Sequence, residues 1–261
     1  MSDPISTKTQ SEGGVLLARS FFYRLLAELL RHPSSRRQGR FVHDAARDWK
    51  QVLAPFDGPS KEALDGKLSL LFRELKQTGP EEWARQYEAA FGHTAHSRIP
   101  AYELEYGEEH SYRQPQELGD IAAFYQAFGL QAAPGAHERD DHVTVECEFM
   151  HFILWKQVYA LAKNLDEKVS ICQEAAGRFL SEHLGRWLPA FATRLVMESG
   201  DNLMTRIGDF ALEFIIQDCR SAGVSAGESH LPVRKIQEKE ETGCISCQYG
   251  PGIPAGGKDP D

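Results

Sequence analysis

The chain contains no uninterrupted apolar run near the ~18–20 residues needed to cross a bilayer, because a charged residue breaks every such stretch within a few positions. Residues 1–14 have neither the basic opening nor the apolar centre of a secretory leader. No cluster of lysine and arginine offsets the excess of acids, 38 against 29, and a net charge of -9 repels polyanions. Cysteine is scarce, five scattered residues, and an odd count in a chain of this size points to reduced thiols rather than a disulfide framework. Together these absences give the expectation of a cytoplasmic protein with no stable membrane association and no nucleic-acid partner. Internal repeats, strict apolar/polar alternation and hairpin signals are also missing, which argues against a sheet. There is no Gly-x-Ser-x-Gly, no phosphate loop and no dinucleotide-binding glycine fingerprint, so the common hydrolase and nucleotide chemistries have no sequence support.

What is present is apolar material for a sizeable core: 41% hydrophobic and 10% aromatic residues in 261 exclude a wholly disordered chain. Proline is absent between Pro134 and Pro189 and between Pro189 and Pro232, leaving two long windows open to helix. In the first, Val145, Phe149, Phe152 or Ile153, Lys156 and Tyr159 recur at helical steps; in the second, Leu203, Ile207, Phe210, Ala211, Phe214 and Ile215 form a stripe that Asp201 is placed to cap. Leu17, Phe21, Leu25 and Leu29 make an apolar face ending before Pro33. Shorter helical patterns cover residues 38–53, 60–77, 80–91, 116–128 and 169–187. The expected fold is all-α, a single helical domain over residues 14–222 behind a flexible 1–13. Two segments break the pattern. Residues 92–115, punctuated by Pro100, Gly107 and Pro115, read as a long functional loop. Residues 223–261 hold 7 Gly and 4 Pro with a single aromatic, Tyr249, and read as a flexible tail.

Charge is unevenly spread. Residues 100–150 carry eleven acids against Arg113 and Arg139, so the whole net charge lies in this stretch and the rest of the chain is neutral. The acids alternate with Tyr102, Leu104, Tyr106, Tyr112, Phe124, Tyr125 and Phe128. That mixture suits either a solvated acidic surface or a cationic, partly apolar ligand such as an arginine-bearing peptide.

Several constellations invite a chemical reading. His142, Glu146, Glu148 and His151 include a Glu-x-x-His, the spacing of di-iron bundles, which makes a helical metalloenzyme the rival to a binding protein. There is no second copy, and Glu146 and Glu148 fall about 200° apart on a helix. Cys147, Cys172 and Cys219 sit in helical patterns and read as packing residues. Cys244 and Cys247 form one Cys-x-x-Cys, half the ligand set of a structural zinc site. Ser35-Arg36-Arg37-Gln38-Gly39-Arg40-Phe41 imitates a twin-arginine export motif, but a charged segment follows where an apolar run is required. No resident cofactor is expected.

Three motifs carry a resemblance. Pro100-Ala101-Tyr102-Glu103-Leu104-Glu105-Tyr106 resembles Pro-x-Tyr-Glu-x-x-Tyr. The run from Glu138 to Met150 is similar to Arg-Pro-Asp-His-Leu-x-x-Glu-Leu-x-Phe-Met, with Asp140 in place of Pro and Cys147 in place of Leu. Gln86-Tyr87-Glu88-Ala89-Ala90-Phe91 resembles Glu-Tyr-x-x-Leu-Phe. All three belong to the TorD/DmsD/NarJ-like cytoplasmic chaperones of molybdoenzymes. The resemblance implies a helical assembly chaperone without turnover of its own, monomer or homodimer. Its partner would be the N-terminal or twin-arginine signal region of a DMSO-reductase-family catalytic subunit, held until cofactor insertion. Carried over by position, the client-binding residues are Pro100, Tyr102, Glu103, Tyr106, Asp141, His142 and Glu146. Asp141 and Glu103 would meet client arginines, Tyr102 and Tyr106 its apolar part, and Glu146 would face the same groove. The alternative roles are loop anchoring for the tyrosines and N-capping for Asp141. A generic helical peptide-binding adaptor is the remaining possibility.

Overall fold

Proline, glycine and short polar side chains set where the helices begin and stop. Pro59 lies in the first turn of the helix Gly58–Gln77 and Pro80 opens the helix Pro80–Phe91, where a missing N–H costs nothing. The latter helix stops at Gly92, whose φ of 66° lies in the left-handed region that glycine enters freely. In the computed structural model, which describes residues 4–33, 36–92, 98–107, 114–131 and 138–234, the helices are α1 (Pro4–Leu29), α2 (Arg36–Val52), α3 (Gly58–Gln77), α4 (Pro80–Phe91), α5 (Gln114–Ala127), α6 (Val143–Ala162), α7 (Asp166–Glu182), α8 (Leu184–Glu198) and α9 (Leu203–Ser221). One 3-10 turn spans Glu103–Glu105, and no strand longer than an isolated bridge occurs among the described residues. The all-α expectation holds. Cys244 and Cys247 lie outside the described residues.

α1 lies along α6, α9 packs against α8, α3 and α1, and α7 joins α6 to α8. Phe22, Tyr23, Phe179, Trp187, Phe191, Phe210 and Phe214 are fully buried where these helices meet. Polar contacts also cross this core: Asp218 of α9 accepts from the Tyr23 hydroxyl at 2.6 Å and from both Nε and the terminal nitrogen of Arg19 in α1. Burial, with the Asp218 charge beside it, pushes the Cys219 thiol up to about 12, so it packs as a neutral thiol.

Several boundaries differ from the sequence reading. α1 starts at Pro4 rather than Gly14. Asn202, not Asp201, caps α9, accepting from the amides of Met204 and Thr205 at 2.9 and 3.3 Å, while Asp201 pairs with Arg206. The pattern over 169–187 is two helices, broken at His183. On α6 the buried residues include Val143, Glu146, Met150, Ile153, Leu154, Gln157 and Ala160, whereas Tyr159 and Lys156 of the expected stripe face solvent. α6 is covered from two sides, by α1 and α7, so a single-stripe pattern does not describe it.

The expected tail is described only over its first part, and residues 235–261 lie outside the described residues. Residues 223–234 do not hang free but run back along the body as a strap. The Gly227 amide donates to Gly185 O at 2.9 Å, the Gly107 amide to Pro232 O at 2.9 Å, and the Arg234 amide to Glu105 O at 2.8 Å. Val224, Ala226, Leu231 and Val233 pack on the core. The first of these bonds also explains how Pro189 sits inside α8. Proline has no N–H for the carbonyl four residues earlier, which is that of Gly185, and the strap supplies the missing donor. Gly227 can do so because it lacks a side chain: a Cβ there would overlap the Arg186 carbonyl. Gly227→Val is therefore expected to lift the strap, cost about 1–3 kcal/mol as overpacking does, and speed hydrogen exchange at the Gly107 and Arg234 amides. Unchanged exchange at both would refute the strap's role.

Candidate functional site

Main-chain bonds hold the two longest motifs together. Residues 98–107 cross the start of α6, with the Glu103 amide donating to Asp141 O at 2.9 Å, the Val143 amide to Ala101 O at 2.8 Å, and an isolated antiparallel bridge between Tyr102 and His142. Asp141 adds a side-chain bond, accepting from the Leu104 amide at 3.2 Å. Asp141 does not cap α6. His142 does, its Nδ1 accepting from the Thr144 amide at 3.2 Å and lying 2.7 Å from the Thr144 hydroxyl. Nδ1 is thus the acceptor, which places the ring proton on Nε2, 3.7 Å from a Glu138 oxygen. Burial lowers the His142 pKa, against the opposing charges of Glu138 and Asp141.

Most of the residues carried over from the motifs face inward. Tyr106, 2% exposed, anchors the loop by donating its hydroxyl to the Pro100 carbonyl at 2.9 Å and packing on Trp187. Pro100 is buried with it. Glu146 is 0% exposed and does not share a groove with His142; one oxygen accepts from Trp187 Nε1 at 3.0 Å. Its other oxygen is buried with no hydrogen-bond partner, and the Glu103 charge acts on it. Burial first, and then the Glu103 charge, raises the Glu146 pKa well above the carboxylate range. Glu103 in turn faces His183 Nδ1 at 3.2 Å. Glu103 and Glu146 therefore form an internal chain, His183–Glu103–Glu146–Trp187, rather than a surface for client arginines. The reason is geometric: the 3-10 turn Glu103–Glu105 lies between the loop and the bundle, and all three of its residues are buried there. Asp141, fully buried, is paired with the chain's own Arg139 through two bonds of 2.9 and 2.7 Å.

What reaches solvent is a rim. Tyr102 is half-buried, its ring edge-on to His142 at 4.9 Å between centroids, and its hydroxyl donates to Glu138 at 2.7 Å. Burial and that bond raise its pKa. The Arg139 guanidinium lies 4.6 Å above the same ring. The third motif arrives from α4: Tyr87, edge-on to His32 at 5.2 Å, is pushed up to about 12 by burial and then by the charge of Glu138. Arg31, at the end of α1, pairs with Glu148 across this rim. The acidic stretch is thus split. Glu117, Asp120 and Phe124 line a different feature, a cleft of about 580 Å³ beside Glu103 and His183 that Arg178 and Arg186 also border. Sequence reading missed Arg31, His32, His183 and Trp187, whose partners are far off in the chain and which carry no local signal; Arg139 stood in a quoted motif without a role.

The metal reading fails on placement. Glu146 is internal, Glu148 is half-exposed on Arg31, and His151 is bonded to Ser20 of α1 at 3.0 Å. Among the described residues no group of three or more potential ligands is placed to hold a metal. Cys147, Cys172 and Cys219 are buried free thiols, and no described helix is long and apolar enough to cross a membrane.

Comparison with known proteins agrees with this assembly of motifs. The family model described as the nitrate reductase delta subunit matches residues 43–193, which contain all three motifs. The chain belongs to that family. This is the TorD/NarJ-type family to which the motifs pointed. Among its relatives, the perchlorate reductase assembly chaperone protein of Dechloromonas aromatica is 30% identical over 102 residues, 39% of this chain and 45% of the relative. The chaperone protein TorD of Vibrio cholerae is 29% identical over 107 residues, 40% and 46% of the two chains. The selenate reductase assembly chaperone protein of Thauera selenatis is 31% identical over 104 residues, 40% and 51%. The chain spans about half the length of these relatives.

Proposed function

We propose that the protein is a dedicated assembly chaperone, not an enzyme. It binds the N-terminal or twin-arginine signal region of a DMSO-reductase-family catalytic subunit in the cytoplasm and holds it for cofactor insertion before assembly or export. The observation that carries this reading is the rim where three separate motifs meet: a half-exposed Tyr102 between His142 and the exposed Glu138, with Tyr87 and Glu88 alongside. An aromatic face edged by carboxylates takes a cationic, partly apolar peptide through cation–π and ion-pair contacts. Exposed ion pairs contribute only about 0–1 kcal/mol, so the ring sets affinity and the acids set selectivity. Membership of a family whose relatives are named as reductase assembly chaperones supports the same partner class.

The test uses residues that do not build the scaffold. Tyr102→Ala with Glu138→Gln is expected to weaken binding of the client's leader peptide about ten-fold or more, while the backbone bridges around Asp141 keep the fold. Recovery of a molybdoenzyme catalytic subunit with the tagged chain from its native host is the companion result. Recovery of unrelated proteins only, with the double variant binding as wild type, would replace the chaperone reading by a general peptide adaptor.

A further inference from the structure

Asp141 lies at the bottom of a receptor for a planar cation, and that receptor is already filled. Arg139 gives Asp141 two parallel N–H bonds, 2.9 Å from Nε and 2.7 Å from a terminal nitrogen, the fork geometry by which carboxylates recognise guanidinium. The ring of Tyr102 covers its face at 4.6 Å, and a Glu105 oxygen stands 3.6 Å from the same terminal nitrogen. The carboxylate below is fully buried, yet the arginine itself is 40% exposed.

The arginine does not assemble this receptor. Loop and α6 are joined by the Glu103, Val143 and Leu104 amides and by the Tyr102–His142 bridge, none of which uses the Arg139 side chain. Its bidentate partner Asp141 is only two residues away, and its reach to the loop is the longer 3.6 Å contact with Glu105 and the cover of the Tyr102 ring, beside main-chain bonds that hold the loop without it. A half-exposed arginine that fills a site built without it occupies that site as a ligand does. We infer that Arg139 is an intramolecular stand-in for a client arginine, which displaces it from Asp141 and Tyr102 on binding. This rests on the proposed client class and adds its regulation. A tethered competitor acts at an effective concentration of about millimolar, so an isolated arginine on any passing chain fails to displace it. Only a peptide that also gains contacts along the rim succeeds, which makes self-occupancy a filter for the right client.

The experiment needs no client. In Arg139→Ala, Asp141 is left buried without its cation, and N-acetyl-arginine amide is expected to bind the variant at least ten-fold more tightly than wild type and to raise its melting temperature. N-acetyl-lysine amide, which lacks the planar fork that gives two parallel bonds and lies flat on the ring, is expected to do neither. Equal affinity of the arginine amide for the two proteins overturns the inference, as does equal response to the lysine amide. Should Arg139→Ala not fold, Arg139→Lys is measured in the same way and the same gain is required. A leader peptide tested on both forms separates the two levels. Arginine-amide binding to the variant with no leader binding to either protein removes the client reading and leaves the stand-in. Leader binding to both forms equally, with no gain for the amide, does the reverse.

Discussion

Asp218→Ala is expected to lower the unfolding free energy by about 3–5 kcal/mol, the usual consequence of removing one partner of a buried ion pair. Asp218 is 1% exposed on its side chain and accepts from Arg19 and from the Tyr23 hydroxyl, so its loss strands a cation, 13% exposed, and a phenol inside the α1–α9 contact. Urea unfolding measures the loss. Replacing the set together, Arg19→Met with Tyr23→Phe and Asp218→Leu, is expected to restore at least half of it, because the penalty comes from uncompensated polar groups rather than from a cavity. A single-variant cost below about 1 kcal/mol would show that water screens the pair and that the aromatic core alone joins the two helices.

The second large effect is a pH dependence. Glu146 has a folded-state pKa raised above the ordinary carboxylate value of 4.5, because it is buried and faces Glu103 and Asp141, with only Trp187 donating to it. The folded state therefore holds a proton that the unfolded chain releases. Stability supplied by this group is complete below about pH 4.5 and is lost as pH rises through the raised value, at up to about 1.4 kcal/mol per pH unit for one proton. Glu146→Gln keeps an oxygen for Trp187 and offers an amide N–H to Glu103. The variant is expected to unfold at higher urea than wild type at pH 8, with the gap narrowing toward pH 5. His142 contributes with the opposite sign: its lowered pKa makes protonation destabilising as pH falls below about 6.5, equally in both proteins. Parallel pH profiles for wild type and variant would contradict the raised Glu146 pKa.

How much was legible follows from the range of each interaction. Helix periodicity and proline placement are local, and they located most helices within a few residues. They failed where a contact from elsewhere changes the rule. Pro189 read as a boundary because a helix loses a donor there, and only the distant Gly227 amide replaces it. Gly227 itself read as a sign of flexibility, although the missing side chain is what lets the strap approach α8. The motifs at 100–106 and 138–150 identified two segments that do meet, but not their facing. Glu103, Tyr106 and Glu146 read as binding groups and are internal, since the 3-10 turn is buried against the bundle, Tyr106 packs on Trp187, and α6 is covered from two sides.

By itself the sequence determined the all-helical class, the absence of a membrane-spanning helix among the described residues, and the family, because periodicity, charge interruption and motif order are written in neighbouring residues. Tertiary structure alone decided which carboxyls stay in water and which are buried, that residues 223–234 are fastened to the body, and that Arg139 fills the place beside Asp141. Each of these depends on desolvation and on partners brought from far along the chain, and no local pattern encodes how deep a side chain ends.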